Sequence, residues 1–124
     1  PQSVDINQRV VNLLADAPGV AWATFSTLCE EPRSAADYVE MAREYHTVLI
    51  EQIPLLDRDK EDAARRFINL VDEFYDRNVK LIATAAQPPQ TIYDGSRLRF
   101  DFDRTVSRLQ EMRTQEYLKA QHRP

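Results

Sequence analysis

The stretch from Glu61 to Ala85, EDAARRFINLVDEFYDRNVKLIATA, constrains the fold of this chain more than any other. Ala64, Phe67, Ile68, Val71, Phe74 and Tyr75 recur along one side of a 3.6-residue period, which predicts an amphipathic helix. Asp59, Glu61 and Asp62 sit where the positive end of the helix dipole favours carboxylates, and Arg77 and Asn78 close the other end. The run Val79-Lys80-Leu81-Ile82-Ala83 then switches to a short, partly β-branched apolar pattern, so helix passes directly into strand. Upstream, Val48-Leu49-Ile50-Glu51-Gln52-Ile53 is a second apolar run, ended by Pro54, which cannot donate to a ladder. Two strands joined by a crossover helix of this length are expected to be parallel neighbours with a right-handed connection.

The rest of the chain arranges itself around that unit. Asn7-Gln8 separates Val4-Asp5-Ile6 from the run Arg9 to Leu14, which predicts an N-terminal hairpin over 4–14, although Val10, Leu13 and Leu14 also permit a helix. Asp16-Ala17-Pro18-Gly19 is a turn, Val20 to Phe25 has strand character, and Ser26 to Arg33 reads as a loop. Ser34 with Asp37 three residues on forms a capping-box pattern that opens a helix through Tyr45, its apolar face made of Tyr38, Val39, Ala42 and Tyr45. Beyond the central unit, Gln87-Pro88-Pro89-Gln90 breaks regular structure, Asp94-Gly95 marks a turn, and Leu98 to Phe102 alternates as an extended segment. The last element is expected from about Asp103, as N-cap, to Ala120, with Val106, Leu109, Met112 and Tyr117 buried and Arg104, Arg108, Glu111 and Gln115 together on the other face. The fold class is therefore α/β, a small, partly parallel sheet with crossover helices.

A length of 124 residues suits one domain, 1–124, that buries roughly two-thirds of its unfolded surface. A net charge of −4 with no run of five like charges lacks the footprint of a nucleic-acid binder. No window approaches the length of apolar sequence that a membrane helix needs, and no basic-then-apolar leader is visible. The single cysteine, Cys29, rules out an internal disulfide and fits a reducing, cytoplasmic setting. The chain opens at Pro1 without an initiator Met, as expected of a fragment or a processed product. If a missing part covers one edge of the sheet, Val20, Trp22 and Val48 are expected to be left open and to favour self-association, hence a homo-oligomer.

Chemistry-bearing motifs are few. Gly19 and Gly95 are the two glycines, and neither opens a phosphate loop followed by Lys-Ser or Lys-Thr. His46 and His122 have no Cys or His partner at ligand spacing, so no metal site is expected, and no serine lies in a nucleophile elbow. No catalytic residue is assigned. Two arginine groups remain as phosphate-facing candidates, Arg65-Arg66 on the central helix and Arg104 with Arg108 on the last one, because guanidinium suits bidentate phosphate recognition. The alternative is ion pairing, for example Arg65 with Asp62, Arg66 with Asp72 or Arg108 with Glu111.

Three strings carry a resemblance. Phe25-x-x-Leu28-Cys29 with Pro32-Arg33-Ser34 and Asp37-Tyr38 is the first, and Ala64-Arg65-Arg66-Phe67-Ile68-x-Leu70-Val71-Asp72-Glu73-Phe74-Tyr75-Asp76 the second. The third is Phe102-x-Arg104-Thr105-x-Ser107-Arg108-Leu109-x-Glu111-Met112-x-x-x-Glu116-Tyr117-Leu118. Together they resemble the C-terminal part of the ZapE, or AFG-one-like, family of P-loop AAA+-type ATPases over about Val20 to Leu118. The resemblance implies that ATP and Mg are bound by Walker elements in an N-terminal ATPase half not contained in this chain, and that no cofactor is held by the chain alone. It also implies an association of bacterial members with the division-ring protein FtsZ. The strand–helix–strand unit imitates a Walker B to sensor-1 layout, yet Pro54-Leu55 stand where the acidic pair would follow and Thr84-Ala85-Ala86 lacks the sensor asparagine. Three functions are compatible with this reading. One is a regulatory half of an ATPase in which Arg104 and Arg108 reach nucleotide, another a protein-interaction module, and the third a stand-alone binder of a phosphorylated ligand.

Overall fold

A computed structural model describes residues 2–124 and contains the expected central unit. Strands β5 (Thr47–Ile53) and β6 (Lys80–Ala85) are parallel neighbours joined by the central helix, Glu61–Asp76. Ahead of them, β1 (Gln2–Ile6) and β2 (Arg9–Leu13) form the N-terminal hairpin, followed by β3 (Ala15–Ala17) and β4 (Val20–Thr24). Helix α1 (Ala35–Glu44) carries the chain from β4 to a parallel pairing with β5, and the central helix is accordingly α2. The four-stranded sheet has the order β3-β4-β5-β6, with only β3 antiparallel.

Turn chemistry explains the local geometry. Asn7 and Gln8 both take left-handed backbone angles, φ 52° and 66°, as the tight two-residue hairpin turn requires. Gly19 turns β3 into β4 at φ 76°, and a β-carbon there would lie 2.4 Å from the His46 ring. Helix α2 ends with Asn78 left-handed at φ 54°, while the Val79 N–H donates to Phe74 O at 3.0 Å and the Asn78 N–H to Tyr75 O at 3.3 Å, so its last carbonyls are satisfied as the chain enters β6. At the start of α1 the Ser34 N–H donates to the Asp37 carboxylate at 3.0 Å. Asp37 is buried, Arg9 reaches it at 3.1 Å, and the Asn7 amide donates to Ala36 O at 2.7 Å, which fastens the hairpin to α1.

The strands step from β4 to β5 to β6 in one direction, so two crossovers of the same hand lay α1 and α2 on the same face of the sheet. Ala21, Ala23, Val48 and Ile50 point into that layer and are buried. The residues between them point the other way. Trp22, Leu49 and Ile82 are register partners in one cross-strand row, with Trp22 40% and Ile82 57% exposed. The expected open surface is therefore correct for Trp22, half met by the half-buried Val20, and wrong for Val48, which lies under the helices.

Other expectations are corrected. Leu98 to Phe102 is not extended, because α4 runs Arg99–Glu111. Asp103 lies inside that helix rather than capping it. The last element is two helices, since the chain breaks after Glu111 and restarts as α5 (Gln115–Lys119), where the Thr114 hydroxyl accepts the Tyr117 N–H at 3.2 Å. Within the expected stripe, Met112 and Tyr117 are buried, and Phe102 and Thr105 join them, while Val106 and Leu109 are half-buried. The proline break contains a short helix, α3 (Pro89–Ile92), entered at a proline whose missing N–H costs nothing there. Ser26–Glu30 is a single wide helical turn closed by the Glu31 N–H on Ser26 O at 3.2 Å.

The segment between α3 and α4 is clamped to the start of α2. Buried Glu61 accepts the Tyr93 hydroxyl at 2.6 Å and the Arg97 N–H at 3.0 Å, and the Leu98 N–H donates to Tyr93 Oη at 2.8 Å. The Tyr93 hydrogen bond above all, with the backbone donors of Arg97 and Ser96 and the Arg97 charge assisting against the cost of burial, holds the Glu61 carboxyl below its ordinary range.

Two predictions follow from this packing. In the 124-residue chain, Ile68→Ala should cost about 2–5 kcal/mol in urea unfolding, whereas Ile82→Ala should be within about 0.5 kcal/mol of wild type; similar losses for both would refute the one-sided sheet. A carboxyl with a lowered folded-state pKa stabilises fully above its unfolded value of about 4.3 and loses that contribution as pH falls through the folded value. The stability gap between wild type and Glu61→Gln should accordingly be widest near neutral pH and shrink below about pH 4, read from unfolding midpoints across the pH range.

Candidate functional site

Helices α2 and α4 run side by side in the same direction. Their polar contacts keep one register: Arg65 meets Asp101, Asp72 meets Arg108 and Tyr75 meets Glu111, each pair 36 residues apart. The Arg65 guanidinium is 2.8 Å from Asp101 Oδ2, and the Tyr75 hydroxyl donates to Glu111 Oε2 at 2.8 Å. Asp72 takes two arginines of α4, Arg108 in a close hydrogen bond and Arg104 at 3.6 Å. The Arg108 guanidinium also lies over the Tyr75 ring, 4.9 Å from its centroid. The bond to Glu111, together with burial, raises the Tyr75 phenol above its ordinary pKa.

The arginines predicted from sequence are thus brought together in part. Arg65, Arg104 and Arg108 share the α2–α4 seam, while Arg66 turns to the other side and donates to Cys29 O at 3.1 Å. Ion pairing is realised with partners other than those expected: Asp101 in place of Asp62, and Asp72 serving Arg104 and Arg108 rather than Arg66. Of the seam arginines, Arg108 is 27% exposed and held by the Asp72 carboxylate and the Tyr75 ring, and Arg104 is 54% exposed and loosely held.

A second polar centre was not anticipated. The turn Ser26–Glu30 presents consecutive carbonyls inward, and each finds a donor. Arg33 gives Nε at 3.1 Å and Nη2 at 2.8 Å to Thr27 O, the Tyr38 hydroxyl gives 2.7 Å to Leu28 O, and Arg66 serves Cys29 O. The Arg33 side chain is buried for this purpose. Burial pushes the Cys29 thiol up to about 12, so it is a packed group and not a nucleophile. The only sequence signal for this centre was the spacing of Arg33 and Tyr38 after a turn without glycine.

The N-termini of the two crossover helices do not offer a phosphate site. The N-terminus of α2, where a phosphate would profit from the dipole, is occupied by Glu61 and Asp62, and that of α1 by the Asp37 carboxylate. Among the described residues no group of three or more His, Cys, Asp or Glu could hold a metal ion. His46 and His122, distant in sequence, do approach, with ring centroids 6.5 Å apart, but His46 is engaged by Thr47 Oγ1 and His122 by Ala42 O. No helix among the described residues is long and apolar enough to cross a membrane.

Comparison with known proteins adds what geometry does not contain. The family model described as AFG1-like ATPase matches residues 1–121. The cell division protein ZapE of Escherichia coli K12 is 45% identical over 120 residues, covering 97% of this chain and 32% of that protein. Lactation elevated protein 1 homolog B of Danio rerio is 32% identical, covering 94% of this chain and 30% of its own length. An uncharacterised Schizosaccharomyces pombe protein, C115.02c, is 40% identical over 90 residues, covering 73% of this chain and 20% of its own. The chain spans about a third of the length of the first two. No solved structure matches it. With a family match across nearly its whole length, the chain belongs to the AFG1-like ATPase family.

Proposed function

We propose that this chain is a folded, non-cradling part of an AFG1-like, AAA+-type ATPase, and that ATP is bound with Mg and hydrolysed by the whole, longer protein. The observation that carries this reading is the family match over residues 1–121 in a chain that has no glycine-rich loop and sets carboxylates at both crossover-helix N-termini. Within that protein, Arg104 is the arginine of the seam with the most freedom to reach a nucleotide held elsewhere, in the same or a neighbouring subunit, because its contact with Asp72 is long and its side chain is 54% exposed. Arg108 positions it, tied to Asp72 and stacked on Tyr75. On this reading the partners are those of the whole ATPase, with FtsZ as the partner of bacterial members and the bacterial cell as the setting suggested by a relative named for cell division.

In the longer protein, Arg104→Ala should lower ATP turnover by about 10³-fold or more while leaving the melting temperature near wild type, in line with other arginine fingers. Arg108→Ala should lower both, since it removes an ion pair and a ring contact as well. Turnover per folded molecule unchanged in Arg104→Ala, with only a stability loss, would reduce the seam to a helix staple.

A further inference from the structure

The face of the sheet turned away from α1 and α2 is apolar along one complete row, Trp22–Leu49–Ile82, with each residue a register partner of the next. Parallel strands are buried on both faces in α/β proteins, and a sheet wound from its middle achieves this because its crossovers reverse direction. This sheet never reverses: β4, β5 and β6 follow in order, so both helices fall on one side. The outer edge of β6 is equally unguarded. Among the described residues no strand pairs with it, and its one charged residue, Lys80, is drawn to Ala120 O at 2.7 Å. On the helix side of the same edge, Leu81, Ala83, Ile92 and Leu109 line an apolar groove of about 140 Å³. Bare face and bare edge meet at Ile82.

Resting on the reading of the chain as part of a longer ATPase, we propose that another segment of that same polypeptide closes this sheet, with a helix on the Trp22–Leu49–Ile82 row beside the β6 edge. Supply favours an occupant in cis, for the curated ZapE is matched over only 32% of its length. A tethered segment also acts at an effective concentration in the millimolar range, which a free copy does not reach. A second copy is the weaker fit. The row offers three apolar side chains, Leu49 among them half-buried, where each partner of a stable complex buries about 800 Å². The Trp22–Leu49–Ile82 row is thus an internal docking surface for the rest of the chain.

The test uses the longer protein with its other exposed cysteines replaced by serine, and compares thiol-labelling rates of Ile82→Cys and of Arg43→Cys on the solvent side of α1. Cys29 is buried and does not compete. The 82 site should react about 100-fold more slowly than the 43 site, independent of protein concentration. Equal rates would overturn the proposal. Protection that disappears on dilution would overturn it as well, by assigning the cover to a second molecule. ATP turnover measured in the same sample separates the two readings, since protection without hydrolysis leaves the docking surface standing and removes the ATPase assignment, and the converse result does the opposite.

Discussion

A chain of four aromatic rings holds the molecule together. Phe25 packs against Phe67 at 5.9 Å, Phe67 against Phe102 at 6.3 Å, and Phe102 against Tyr93 at 5.0 Å. These contacts join the turn after β4, the middle of α2, the first turn of α4 and the loop that Glu61 clamps. Each ring buries a large apolar area and is nearly inaccessible, so the arrangement of every neighbour is set by where Phe67 stands on α2. The helix itself is enclosed on more than one side, as Ala63 and Leu70 are buried along with the main apolar stripe.

The arginines show how one residue type divides between structure and exposure. Arg33 and Arg66 are spent on the Thr27 and Cys29 carbonyls of the Ser26–Glu30 turn, and Arg108 is spent on Asp72 and a tyrosine ring. Much of the family signature is thereby explained by packing: the Pro32-Arg33-Ser34 and Asp37-Tyr38 strings are the fastenings of the Ser26–Glu30 turn and of the N-terminal hairpin. Arg104 is the member of the seam for which packing gives the least account.

The elements legible in the sequence were those whose periodicity is settled locally. Helix α2, strands β4 to β6 and the Asn7-Gln8 hairpin all carry their own pattern, and all appear. In the segment Leu98 to Phe102, the alternation of Leu98, Phe100 and Phe102 imitates a strand. Yet Phe100 is 84% exposed, and the helical series Leu98, Phe102, Thr105, Leu109, Met112 is the one that faces the core. An exposed phenylalanine broke the rule on which the strand assignment relied. The break before Thr114 and the partners of the arginines depend on how α4 lies along α2, a tertiary fact with no local signature. The arginine seam was recognisable as a group, but its register was not.

The open edge of β6 gives the molecule a kinetic liability. The window Leu81-Ile82-Ala83-Thr84-Ala85 has no charge, no proline and no glycine, which is the composition of segments that pair edge to edge with copies of themselves. With the sheet closed as proposed, the interval during synthesis between formation of β6 and its coverage is the time in which misassembly competes with folding. Whether a newly made chain survives depends on how quickly that strand is covered, and the stability of the finished core, however high, does not shorten the wait.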